Sequence, residues 1–192
     1  MTALALVPKS VEIAEWVKRW AKCYGSKERD AKYITAMEKL RLVTDEESFE
    51  KTKDVLKVAF EWKNGRRLSK PKSRSIAKID FVQWKKVSNQ TEFGKFFSGA
   101  VWNIFLWHLA TGGVKPIFDQ HSWRAFCHLH NGVCEELKEA DIEQIRGFYR
   151  QYDNWFRARV EEGIDQRELD RAMMAFGQFL RGQFGPLINR VQ

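Results

Sequence analysis

Apolar residues in this 192-residue chain recur at spacings of three and four in nearly every segment, and strict alternation of apolar with polar residues is almost absent. That period lines one face of a helix and fits a pleated strand nowhere, so it commits the chain to helices. The widest stripe is Phe93, Phe96, Phe97, Val101, Ile104, Phe105 and Leu109. It predicts the most buried helix of the protein, running from Thr91 to a Gly112-Gly113 stop.

The same reasoning places the other elements. A first helix is expected from Ser10 to near Gly25 on Ile13, Trp16, Val17 and Trp20, and a second within Glu28 to Leu42 on Ala31, Ile34, Met37 and Leu40. A capping box in Thr44-Asp-Glu-Glu47 opens a third helix, which carries Phe49, Leu56, Ala59, Phe60 and Trp62 to Asn64-Gly65. A short helix starting at Ser73 or Ser75 turns Ile79, Val82 and Trp84 inward and breaks at Ser88 to Gln90. Val114 to Phe118 is an extended connector fixed by Pro116, after which Asp119 is placed to cap a helix containing Trp123, Phe126 and Leu129 and ending at Asn131-Gly132. Two longer helices follow, Asp141 to Val160 and Asp165 to about Phe184, the second with Leu169, Met173, Phe176, Phe179 and Leu180 inward. The expected fold class is all-α, a single compact multi-helical domain over residues 1–192, divisible into sub-lobes 1–62 and 75–192 joined by a basic loop at 63–74.

Composition narrows the function classes. An aromatic share of 14% excludes disorder, and 30% charged residues with no long apolar run exclude a membrane span. Met1 to Val7 is apolar but short, with no basic residue before it, so no signal peptide is expected and the protein reads as soluble and cytoplasmic. Cys23, Cys127 and Cys134 are odd in number and outside any CxxC pair, which suits reduced, mostly buried thiols. His108, His121, His128 and His130 have neither HExxH nor any Cys/His metal spacing, and no phosphate-binding glycine loop or GxSxG elbow occurs, so neither metal nor cofactor is expected. Cys127 beside histidines could form a nucleophile–base pair, but its place next to Phe126 fits a packed core thiol better.

The formal net charge is +8, the surplus of a chain with an anionic partner or simply of a soluble one. Its densest source is Lys63 to Arg74, KNGRRLSKPKSR, with Lys85-Lys86 nearby. Arg66, Arg67, Lys70, Lys72 and Lys85 are the candidates for neutralising backbone phosphates, against a merely solvated loop. One further segment combines charge with chemistry: Lys115-Pro-Ile-Phe-Asp-Gln-His-Ser-Trp-Arg-Ala125. It puts a carboxylate at a helix start, followed two and five residues later by His121 and Arg124. Asp119 there is either a helix cap paired with one of those side chains, or an anion set beside two phosphate ligands.

An apolar helix, a short loop and then P-I-F-D-Q-H-x-x-R-A resembles the C-terminal core of the helix-hairpin-helix DNA glycosylase superfamily, particularly its 8-oxoguanine branch. The resemblance covers about Phe97 to Phe126. It implies that Asp119 lies beside the sugar of a flipped nucleotide, where a carboxylate favours the oxocarbenium-like sugar left as the base departs. It implies that His121 contacts a backbone phosphate and that Arg124 is a further phosphate ligand or a partner of Asp119. Bifunctional members carry a lysine at the head of the preceding helix, but Phe97-Ser-Gly-Ala-Val101 has none, and Lys95, one turn early, is the nearest candidate nucleophile. The backbone-gripping hairpin loop is also missing its pattern, with Phe93-Gly-Lys-Phe-Phe-Ser-Gly99 in its place. The implied chemistry is monofunctional, with a water activated by Asp119 releasing a damaged base from double-stranded DNA. Trp102, Trp107, Phe118 and Gln120 are candidates for the base pocket. The expected protein is a monomer. The alternatives are a catalytically inactive nucleic-acid-binding domain on the same scaffold and a helical protein-interaction module.

Overall fold

The computed structural model describes residues 12–25, 27–137 and 141–181, and every regular element among them is helical. The order is α1 (Ile13–Lys22), α2 (Lys27–Arg41), α3 (Glu46–Asn64), α4 (Lys70–Ala77), α5 (Phe81–Ser88), α6 (Ala100–Ala110), α7 (Gln120–Asn131), α8 (Ile142–Glu161) and α9 (Gln166–Phe179). The expected helix start at Ser10 and the expected end at Phe184 lie outside the described residues. None of the described helices is long and apolar enough to cross a membrane. The chain divides into two compact units, one formed by Met1–Gly25 with Pro116–Gln192, the other by Ser26–Lys115. The basic segment 63–74 therefore lies within the second unit.

The first unit packs α9 against α1 and α7, with α8 also against α7. Asp119, Asp141 and Asp165 each cap the following helix by accepting backbone N–H bonds, so α7, α8 and α9 all begin where a carboxylate satisfies donors that the helix leaves over. Its core is aromatic: Trp16 and Trp20 meet Phe176 across α1 and α9, while Phe118, Trp123, Phe126, Tyr149 and Tyr152 enclose the start of α7.

The second unit pairs α2 with α3 and sets α6 against α2 and α5. Several sequence expectations need correction here. Along α2 Met37 and Leu40 are buried as expected, but Ala31 and Ile34 are exposed, and Tyr33 and Ala36 complete the buried face instead. The α3 capping box is closed by Asp45 and Ser48, one position later than Thr44 and Glu47, because Asp45 takes the extended N-cap backbone. The expected loop at 63–74 is helical from Lys70, where Pro71 suits a first helical turn, and the single short helix expected after it is two, α4 and α5, separated by an Asp80 capping box. Val82 consequently faces solvent while Trp84 is buried.

The largest departure concerns Thr91 to Gly99, which is not helical; α6 starts only at Ala100. The buried Asn103 side chain explains the late start. Its Oδ1 accepts from the Phe96 and Phe97 amides at 2.8 and 2.6 Å, and its Nδ2 donates to the Phe97 and Gly99 carbonyls at 2.8 and 3.2 Å. One amide thus satisfies the polar backbone of the turn that a helix would otherwise have satisfied itself. From Asn103 to Leu109 every residue of α6 is buried, and His108 is held between the Tyr33 hydroxyl and the Lys115 carbonyl.

Candidate functional site

The first unit holds Phe118, Asp119, Gln120, His121 and Arg124 at the start of α7. Asp119 is half-buried and extended (φ −159°, ψ −173°), and its Oδ1 accepts the His121 N–H at 2.8 Å and the Ser122 N–H at 3.1 Å. Ser122 closes the box: its Oγ accepts the Asp119 N–H at 2.8 Å, and its hydroxyl lies 3.0 Å from the Asp119 carbonyl. Asp119 is thus the backbone cap of α7, on the positive end of the helix and at the edge of the aromatic core, with Ser122 rather than the His121 or Arg124 side chain completing the box. Beneath it Tyr152 is completely buried, and its hydroxyl is held well above the usual phenol range by burial first and then by the Asp170 and Asp119 carboxylates.

Arg124 is 1% exposed and faces inward, away from any position where it could meet a phosphate. Its Nε and Nη2 donate to the two carboxylate oxygens of Glu136, each at 2.8 Å, while Nη1 donates to the Gly177 carbonyl at 2.8 Å and lies 3.2 Å from His121 Nδ1. Its partners are therefore Glu136, Gly177 and His121 rather than Asp119. Phe118 is 0% exposed and packs edge-on against Tyr149, so it is core and not the wall of an open pocket. Gln120 is exposed on the first turn of α7.

The second unit holds the remaining candidates. Arg66, Arg67, Lys70, Lys72 and Lys85 are all exposed. Asn64 organises their segment, its Nδ2 donating to the Arg66 and Arg67 carbonyls at 3.0 and 3.4 Å and its Oδ1 accepting from Lys72 Nζ at 3.1 Å. Lys72 Nζ also stands 4.2 Å from the centre of the Trp102 ring, which is half-buried and stacked nearly parallel on Phe60. The structure thereby brings a basic turn and one accessible tryptophan together. Trp107 is buried beneath Lys115, and Lys95 is exposed in the turn before α6.

Cys127 is buried and donates to Glu135 Oε2 at 3.7 Å; burial and that carboxylate push its thiol far up, which keeps it protonated and poorly nucleophilic. Among the described residues no group of three or more His, Cys, Asp or Glu side chains could hold a metal ion.

Sequence reasoning missed Ser122, Tyr152, Glu136 and Gly177 at this site. Gly177 had a signal, since a lone glycine within an apolar helical stripe marks a close approach of backbones. Ser122, three residues after Asp119, had one too. Glu136 had none, because its pairing with Arg124 crosses a turn that the helical period does not register.

Comparison of the chain with protein-family models, curated proteins and solved structures finds no match in any of the three.

Proposed function

We propose that the protein is a DNA glycosylase-like enzyme in which Asp119 promotes hydrolysis of the N-glycosidic bond of a base flipped out of duplex DNA. The observation that carries the reading is the start of α7: a half-buried aspartate fixed by two backbone N–H groups, with His121 one hydrogen bond away, in the P-I-F-D-Q-H-x-x-R-A sequence that resembles the glycosylase core. In the proposed step the C1′–N bond breaks and the base leaves with its electron pair. The cationic sugar so formed is favoured by the Asp119 carboxylate, the oxygen of a water bonds to C1′, Asp119 takes a proton from that water, and solvent protonates the base. The immediate product is an abasic site. His121 serves as a phosphate ligand, and the Arg66, Arg67, Lys70 and Lys72 turn, with Lys85, neutralises backbone charge.

The test is a panel of duplexes, each with one damaged or modified base, treated with alkali to cut at abasic sites. Wild type is expected to produce cleavage on at least one duplex, and Asp119→Asn to lower its rate at least about 100-fold. Because asparagine is as good an N-cap as aspartate, the variant's urea unfolding is expected to match wild type within about 0.5 kcal/mol, which separates chemistry from folding. Wild type and variant equally inert across the panel would remove the enzymatic reading.

A second reading, nucleic-acid binding without catalysis, is favoured by the exposed basic turn that Asn64 organises around Arg66, Arg67 and Lys72, a cluster of cations of the kind that neutralises backbone phosphates. It predicts salt-sensitive duplex binding that Asp119→Asn leaves unchanged.

A further inference from the structure

The glycosylase resemblance offers Arg124 as a ligand for phosphate, but its guanidinium is buried and occupied on three sides by the protein itself. The fourth contact, with His121 Nδ1 at 3.2 Å, carries information about the histidine. A guanidinium has five N–H donors and no acceptor, so it can meet an imidazole nitrogen only if that nitrogen presents its lone pair. His121 Nδ1 is then the acceptor, and the ring proton resides on Nε2.

We propose that Arg124 is a positioning residue that holds His121 as the neutral Nε2–H tautomer in one ring orientation, so that the contact His121 makes with DNA is a directed hydrogen bond and not an ion pair. The DNA part of this inference rests on the glycosylase-like reading; the tautomer part does not. Three constraints converge on the same histidine. Its backbone N–H is bonded to Asp119 Oδ1 at 2.8 Å. Its backbone carbonyl lies against α9 so closely that a Cβ on Gly177 would stand 2.0 Å from that oxygen. Its ring nitrogen meets the arginine that also binds the Gly177 carbonyl. Glu136 clamps the other edge of the guanidinium with both oxygens, which fixes the plane from which Nη1 points at the ring. A fork fixed in this way is preorganised, and a histidine paired to it loses little further freedom when a ligand arrives.

Nitrogen-15 NMR of the full chain, selectively labelled in histidine and arginine and free of DNA, tests the tautomer directly. The expected spectrum assigns His121 to Nε2–H with Nδ1 shifted as a hydrogen-bond acceptor and scalar-coupled across the bond to the Arg124 guanidinium. A ring protonated on Nδ1, or on both nitrogens at neutral pH, overturns the proposal whether or not the protein acts on DNA. The second measurement is a double-mutant cycle on duplex binding, using Arg124→Lys, which keeps the charge against Glu136 but lacks a planar fork. If Arg124 acts through His121, Arg124→Lys and His121→Ala each weaken binding by roughly tenfold and the double variant weakens it no further. Additive losses overturn the positioning role. Should wild type bind no duplex at all, the glycosylase-like reading falls while the ring spectrum still decides the tautomer. Arg124→Lys failing to fold leaves the wild-type spectrum, with its cross-bond coupling, as the deciding result.

Discussion

Single side chains govern the start of helices in this protein more than the apolar period does. Asn103 is the clearest case: four hydrogen bonds from one buried amide turn residues 96–99 into an ordered non-helical entry, although Phe93, Phe96 and Phe97 lie on the stripe that predicts a helix. Asp119 and Ser122 do the same for α7 from positions the sequence marks openly. Titratable residues add a pH signature. His128 is buried, and burial holds its imidazole below the ordinary range, with the Gly132 backbone pulling the other way. The folded state then binds this proton at lower pH than the unfolded chain does, so the unfolded chain carries more protons as pH falls. The stability this group contributes is present above about pH 6.5 and is lost as pH drops through that value and towards the folded-state one. Thermal melts at about pH 7.5 and about pH 5 should therefore show a larger fall in Tm for wild type than for His128→Gln, since glutamine removes the linked proton. Equal falls would mean that carboxylates elsewhere account for the whole acid effect.

Between elements, close approach decides what the period leaves open. The α7–α9 crossing exists because Gly177 has no side chain, its Cβ direction pointing into the His121 backbone at 2.0 to 2.8 Å. In an ordinary helix interior Gly→Ala stabilises by up to about 1 kcal/mol. Here Gly177→Ala is expected to destabilise by about 3 kcal/mol, because backbone atoms of both helices must separate and the Arg124 bond to the Gly177 carbonyl is strained with them. Urea unfolding measures the difference, and a neutral or stabilised variant would show that the crossing tolerates separation. The shift of the buried face of α2 from Ala31 and Ile34 to Tyr33 and Ala36 belongs to this scale as well. Tyr33 reaches the buried His108, which draws that face of the helix inward and turns Ile34 out.

For the whole molecule, the charge surplus is the property with a measurable consequence. Part of the +8 sits on an organised turn, where Asn64 ties the Arg66 and Arg67 backbone to the Lys72 side chain, beside an accessible tryptophan. If this turn is the duplex-binding surface, replacing Arg66, Arg67, Lys70 and Lys72 by glutamine reduces the slope of log affinity against log salt by about 3 to 4, close to 0.9 for each phosphate that is no longer neutralised. Binding titrations across a salt series read that slope directly. An unchanged slope would assign the surplus to solubility.

The all-helical class, most helix ends and the cap at Asp119 were legible along the chain, because each rests on interactions within about four residues: the helical period, carboxylates before a first turn, glycines after a last one. Only the tertiary structure decided which of those residues are available for chemistry. In sequence Arg124 stands three residues after His121 as a phosphate ligand or a partner of Asp119; Glu136 and Gly177, 12 and 53 positions away, draw it inside. Phe118 and Trp102 are equally apolar in sequence, yet one is sealed in the core and the other stays accessible beneath a lysine. Local sequence sets which backbone groups need partners, and long-range packing sets which side chains are used up in supplying them.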